Sequence, residues 1–429
     1  MEWCSPCAMV CLQIRKLAQF GVCAACGSPI HKNLCKDCST MTTFSISGIA
    51  RKASRALLVT LLGFSGVAQG AVLESLVYSP TGAAPIYEKY PSRLILASNG
   101  ELWGTTNRGG PYDSGTIFKI TTGGAYSTQF SFGSVNPYDD GGRPSSIIEG
   151  ASGVFYGTAE AKGTYGYGVI FRLDSVGGFH VLKSFTGNAA ADGSFPRKLA
   201  KANNNLFYGV TVGGSGSIFK IDSAGNFTTL YRFGTQPFDG MYPNSLVMGS
   251  DGNLYGTTYN GGQYGQGTIF KFVPSTQQLT VLYQFGSIGA DLSRAVSLIQ
   301  QSSGVLYGTS WEGGNFGKGG IFKITTGGTY TLAYHCGTVA NDCYAPQGLA
   351  VAANGTMYGT SYSSGANAKG TAFSLTPAHV FMLLYSFGAT VSDVAKPSSE
   401  PVLGGSNLLY GTGNEGGGAG FGAIYKIQY

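Results

Sequence analysis

Residues 254–271 read Leu254-Tyr255-Gly256-Thr257-Thr258-Tyr259-Asn260-Gly261-Gly262-Gln263-Tyr264-Gly265-Gln266-Gly267-Thr268-Ile269-Phe270-Lys271. Two short runs of apolar, aromatic and β-branched residues flank a glycine-rich link, which is how a pair of antiparallel strands is written. The first run returns as Leu102-Trp103-Gly104-Thr105, Phe155-Tyr156-Gly157-Thr158, Phe207-Tyr208-Gly209-Val210, Leu306-Tyr307-Gly308-Thr309, Met357-Tyr358-Gly359-Thr360 and Leu409-Tyr410-Gly411-Thr412. Successive glycines in this element are 53, 52, 47, 52, 51 and 52 residues apart. A period of that length denotes one supersecondary unit per repeat, and seven units predict an all-β fold: a seven-bladed β-propeller of four-stranded blades.

Outward from the quoted stretch, the fourth copy predicts strands a over 245–248, b over 253–258, c over 268–273 and d over 279–285. Asp251-Gly252 between a and b supplies the positive φ values that a two-residue hairpin turn demands. The seventh copy stops after its c strand, 423–427, two residues before the C-terminal Tyr429. The missing d strand is expected from the other end of the chain, where Val72-Leu73-Glu74-Ser75-Leu76-Val77-Tyr78 resembles the d strands. Closure of this kind satisfies a sheet edge that would otherwise invite aggregation. The propeller is expected to occupy residues 71–429 and to be a monomer.

Composition agrees with many short strands and tight turns: 68 of 429 residues are glycine and only 11% are charged. The net charge of +6 does not describe the body, because residues 1–70 hold seven of the 27 basic residues and two of the 21 acidic ones. The remaining 20 basic and 19 acidic residues leave +1, which argues against a nucleic-acid partner.

The leader carries two readings. From Met41, a basic stretch (Arg51, Lys52, Arg55), an apolar run 56–68 and small residues up to Ala71 read as a signal peptide over 41–70, cleaved after Gly70. The run is shorter than the roughly 20 residues of a spanning helix, so no membrane span is expected after cleavage. Upstream, within residues 1–40, Cys23, Cys26, Cys35 and Cys38 form two Cys-x-x-Cys knuckles resembling a zinc ribbon, with Cys4, Cys7 and His31 as further donors for Zn²⁺. A metal-folded knob ahead of a cleaved signal would be discarded. Translation from Met41, leaving residues 1–40 as a gene-start artefact, resolves the conflict; a cytosolic knuckle on a signal anchor is the alternative. No cofactor is expected in the propeller.

The combination of Asp-Gly-x-x-Pro, Leu-Tyr-Gly-Thr-Thr, Gly-Gly, Gly-Thr-Ile-Phe-Lys and Val-Leu-Tyr-x-Phe resembles the GloVer tandem repeat of exported bacterial proteins, over roughly residues 72–429. The resemblance implies a secreted or surface-attached β-propeller. The chain departs from it in ending at Gln428-Tyr429 without a sorting tail.

Alternating strand direction puts the b–c loops and d–a connections on one face of the ring, the expected site. The d–a connections repeat an acidic residue (Asp140, Asp192, Asp239, Asp291, Asp342, Asp393), expected to shape turns rather than to bind Ca²⁺. Residues that differ between copies are better candidates for specificity. Tyr259, Trp311 and Tyr362 share one repeat position and would form an aromatic arc for a sugar ring, with Asn260, Tyr264, Glu312 and Asn315 as hydrogen-bonding partners. Packing between loops is the other reading of the same rings. Glu160, Glu312 and Glu415 are weighed as an acid/base pair, and catalytic residues stay unknown. His180, His335 and His379 are assigned to structure, the strand c lysines to local pairing, and Cys336 and Cys343 to a disulfide in an oxidising compartment, with free thiols as the alternative. These readings favour an exported, non-catalytic propeller binding carbohydrate or a surface polymer, against a polysaccharide lyase or hydrolase or a protein-interaction scaffold.

Overall fold

The computed structural model describes residues 73–80, 89–134, 139–174, 176–188, 191–202, 205–301, 304–405 and 407–429. The Cys-x-x-Cys segment and the expected signal peptide lie outside these residues. Within them, seven antiparallel sheets form the blades of a propeller, each with strand order a-b-c-d. Blades one to six span residues 89–131, 142–184, 196–232, 241–284, 292–335 and 344–386. Blade seven takes its inner strand from Val394–Pro397 and Val402–Gly404, then Leu408–Gly416 and Ala423–Gln428. Its outer strand is Leu73–Tyr78, with Glu74 opposite Ile427 and Tyr78 opposite Ile424. The two ends of the chain therefore share one sheet, as the repeat phase required.

The strands of the fourth copy run Met241–Met248, Leu254–Asn260, Thr268–Val273 and Gln278–Gln284. Strand a begins four residues earlier than expected. Its start, Met241-Tyr242-Pro243, contains a proline that reads as a turn in sequence, yet here it sits at a bulge where the ladder needs no donor.

Packing explains the motif. Gly256 lies opposite Phe270 in the b–c register, and a β-carbon on Gly256 would strike the tip of that ring. The same glycine–ring pairing recurs at Gly104 and Phe118, Gly157 and Phe171, Gly209 and Phe219, Gly308 and Phe322, and Gly359 and Phe373. Each Tyr-Gly-Thr thus opens the space that an Ile-Phe-Lys fills. Ile269 and Phe270 point to opposite faces of strand c, and both are buried because each blade is covered by its neighbours. Burying a Phe of this kind contributes about 2–3 kcal/mol.

Outer strands are joined across blades by rings. Phe130 stacks on Phe179 with centroids 3.7 Å apart, Tyr283 on Tyr330 at 3.7 Å, Tyr334 on Phe381 at 4.4 Å, and Tyr78 on Tyr126 at 3.9 Å across the closing seam. The repeated aspartates are buried under these rings. Asp239, Asp291 and Asp342 accept the amide of the glycine after strand d at 2.8–2.9 Å and a tyrosine hydroxyl at 2.6–2.8 Å. Their carboxylates are consumed in holding the d–a turn. Cys336 and Cys343 are bridged, with Cα atoms 5.0 Å apart.

Candidate functional site

One residue at the start of every inner strand has a left-handed backbone. Tyr90, Arg143, Phe195, Tyr242, Arg294, Ala345 and Lys396 have φ of 52–57°, a conformation costly for a residue with a β-carbon. The cost is offset by an inter-blade bond. Each of their amides donates to a b–c loop carbonyl of the preceding blade at 2.7–3.1 Å, from Lys396 to Lys369 at the short end and Tyr90 to Phe421 at the long end. This ring ties the b–c loops to the inner strands and brings both to one rim.

Two residues further on, each inner strand bulges: Pro243 pairs with Thr258 and Ser245 with Thr257, so Asn244 has no opposite number. A bulge turns its extra side chain out of the sheet. All seven bulged residues line one central funnel of about 350 Å³. Ser92, Ser145 and Ser398 bring hydroxyls, Asn244 and Gln347 amides, Arg197 a cation and Val296 the single apolar group.

The funnel floor is an ion network across the ring. Glu400 accepts from Lys198 at 2.6 Å and Ser297 at 2.7 Å and pairs with Arg93 at 3.0 Å, so blades seven, three, five and one meet on one carboxylate. Burial opposes ionisation of Glu400, but Arg93 and Lys198 outweigh it and hold the carboxyl at about 2. Burial also pulls the Lys198 ammonium below its ordinary range, against the attraction of Glu400. Blade seven makes room for this residue by interrupting its inner strand between Pro397 and Val402, and Gly348 of blade six leaves the space its side chain occupies.

Beside the funnel a second cavity of about 520 Å³ is lined by Arg197, Val212, Tyr242, Asn244, Tyr259, Asn260 and Trp311, from blades three, four and five. Tyr259 and Trp311 meet edge to face, centroids 6.1 Å apart at 85°. Arg197, Asn244 and Trp311 line both cavities, which therefore adjoin.

Of the residues singled out in the sequence, Tyr259, Asn260 and Trp311 are brought together. Tyr362 lines neither cavity and lies under the Lys396 ammonium, 5.5 Å from its ring centre. Glu312 is held by Arg294 at 3.1 Å, whose guanidinium also covers Tyr259 at 5.3 Å. Tyr264 and Asn315 stand farther out on their loops; Tyr264 packs against Gly286, and the Asn315 amide donates to His335 Nδ1 at 3.1 Å. The three loop glutamates are each ion-paired: Glu160 with Arg197 at 3.3 Å, Glu312 with Arg294, and Glu415 with Lys369 at 3.2 Å and with Lys396. Strand c lysines pair locally at the other rim, Lys119 with Glu101 at 3.5 Å and Lys271 with Asp251 at 3.8 Å. Arg143, Arg197, Tyr242, Asn244 and Glu400 were not anticipated. The signal for four of them was the variable residue after the repeated proline, or the one before it.

Among the described residues, exposed large aromatics are confined to this rim. Tyr90, Tyr112, Tyr165, Tyr167, Phe195, Phe238, Tyr242, Tyr264, Trp311, Phe316 and Tyr344 all lie on b–c loops, d–a connections or the strand ends that meet them. At the opposite rim the exposed apolar groups are aliphatic, such as Leu96, Val176 and Val380. No helix among the described residues is long and apolar enough to cross a membrane.

The pattern that defines the Gloeobacter/Verrucomicrobia repeat matches residues 79–188, 143–348 and 295–429. No curated protein matches the sequence significantly. Among solved structures, the chain is similar to the extracellular domain assigned to a hybrid two component system of B. thetaiotaomicron, at 12% identity over 82% of this chain and 42% of that one, with a TM-score of 0.57. It is also similar to the extracellular domain assigned to a one component system of that organism (10%, 83% and 39%, 0.55) and to a puromycin-hydrolyzing peptidase of Mycobacterium tuberculosis (14%, 78% and 52%, 0.52). The chain spans two-fifths to about half of those structures' length, and at such identities the likeness is one of fold.

Proposed function

We propose that this chain, which belongs to the Gloeobacter/Verrucomicrobia repeat family, is an exported propeller that binds carbohydrate without turning it over. The observation that carries the reading is the cavity in which Tyr242, Tyr259 and Trp311 stand beside Arg197, Asn244 and Asn260. Sugar rings offer an apolar face edged by hydroxyls, and aromatic faces bordered by amides and a guanidinium match both parts. Restriction of exposed aromatics to this rim among the described residues supports ligand capture there. Export is supported by the signal-like leader and by the Cys336–Cys343 bridge, which an oxidising compartment maintains. Non-catalytic binding is supported by the loop glutamates, since each is neutralised by its own cation rather than set against another carboxyl.

A glycan array on the full chain, followed by reducing-sugar and unsaturated-product assays on every hit, tests the reading. Binding without product is expected. Trp311→Ala is expected to weaken binding by about tenfold or more, as for an aromatic hot spot, with the melting profile unchanged. Equal binding by the variant would remove the cavity from the proposal, and release of product would make the chain an enzyme.

A further inference from the structure

We infer that the ligand of this rim is a uronate, a sugar whose carboxylate sits in the central funnel on Arg143 and Arg197 while the adjoining ring lies against Trp311. The inference rests on the carbohydrate reading and adds the charge of the sugar. Three observations carry it.

The first is a charge imbalance. Arg93, Arg143, Arg197 and Lys198 line the funnel against Glu160 and Glu400, an excess of two positive charges in a body whose total is close to neutral. Low-dielectric walls focus such a field on whatever enters.

The second is where the excess remains. Glu400 is shared by Arg93 and Lys198 at the floor, so one of the two excess charges stays there against a carboxylate and the other lies higher up. Higher up, Arg197 Nε stands 3.3 Å from Glu160 Oε1 in an ion pair without donating to it, and Nη1 donates to Asn244 Oδ1 at 3.3 Å, leaving Nη2 without a bond among the described residues. Arg143 is exposed, and its guanidinium pairs with no carboxylate among the described residues. Its backbone is one of the seven left-handed positions, anchored through its amide to Ser114 at 2.8 Å. The open donors are therefore the Arg143 guanidinium fork, whose planar spacing matches a carboxylate, and Nη2 of Arg197 beside it in the lining.

The third is adjacency. Arg197, Asn244 and Trp311 border both cavities, so an acid in the funnel and a ring in the aromatic cavity lie within one ligand's reach. The bulged Ser92, Ser145 and Gln347 present further groups for sugar hydroxyls. A neutral sugar would leave the two excess charges uncompensated, and a cationic one would be repelled.

Calorimetric titration of the full chain tests this. The probes are tetrasaccharides of the galacturonate, mannuronate and glucuronate series, each beside its carboxyl-reduced counterpart, and a sulfated galactan tetrasaccharide. One uronate series is expected to bind about tenfold or more tighter than its reduced form, as a charge-assisted contact implies. Added salt should narrow the gap. Arg143→Gln should bring the uronate down to the affinity of the reduced sugar, and Arg143→Lys should recover part of the difference. Equal affinity for acid and reduced forms would sink the uronate while leaving a carbohydrate-binding rim. Preference for the sulfated chain would also overturn it. Failure of every sugar, charged or neutral, would remove both readings together.

Discussion

The junction between blades four and five and the junction between blades six and seven are built on one plan and differ at two buried positions. At the first, Tyr283 and Tyr330 stack at 3.7 Å, and both hydroxyls donate to the buried Asp291, at 2.8 and 3.2 Å. At the second, Tyr385 donates to Asp393 at 3.2 Å, but the place of Tyr330 is taken by Glu74 from the other end of the chain. Burial, with Asp393 close by, pushes the Glu74 carboxyl up to about 7. Tyr425, where other blades carry Phe, is buried beside it without a hydroxyl partner among the described residues. The comparison shows that the repeat's stability lies in apolar and aromatic positions, whereas the seam that closes the ring is its least satisfied part.

Breaking the seam outright is expected to have the largest effect. A chain beginning after Tyr78 loses the outer strand of blade seven, exposes Ala423–Gln428 as an edge and loses the Tyr78–Tyr126 stack. Size-exclusion chromatography should find it aggregated, and calorimetry should find no cooperative transition; a monomer that melts normally would show that closure is dispensable.

Asp291→Ala strips the amides of Gly286 and Leu292 and two tyrosine hydroxyls of their acceptor, at a cost of about 3 kcal/mol by denaturant titration. Asp393→Ala should cost clearly less at pH 8, because it also relieves Glu74 of a neighbouring charge. Equal costs would mean that the two junctions are energetically alike.

Glu74→Gln sharpens the comparison through pH. A carboxyl whose folded pKa is raised from 4.5 to about 7 favours the folded state below 4.5 and loses that advantage as pH rises through 7. The melting temperature of the variant should therefore match the parent below pH 4.5, pull ahead between 4.5 and 7, and keep a constant lead above. A lead that does not vary with pH would assign the effect to packing. Glu400 has the opposite sign: held at about 2, it contributes stability above pH 4.5 that is lost as pH falls towards 2, so acid weakens the funnel floor while base weakens the seam.

Tyr425→Phe is the smallest change. Removing an unpartnered buried hydroxyl should stabilise the chain by about 1 kcal/mol, read from the denaturation midpoint. Destabilisation would mean that the hydroxyl has a partner in solution.

Blade number, strand order and the joining of both ends were legible because each repeat must satisfy the same packing demand, and equal demands leave equal residues at equal spacing. Gly256 and Phe270 recur for that reason. Part of the candidate site was legible for the converse reason: Tyr259 and Trp311 differ from their counterparts, and the structure sets them 6.1 Å apart at centroids. Tyr362 obeys the same rule but is claimed by Lys396, and nothing in its own blade's sequence announces a lysine from the next.

What the sequence alone determined is the periodic part, since hydrogen-bonded strands and ring-over-glycine packing are local or act between adjacent units. Only the tertiary structure decided the funnel. Arg93, Lys198, Ser297 and Glu400 are far apart in the chain and meet because the ring carries four blades to one axis, where charges removed from water must find one another.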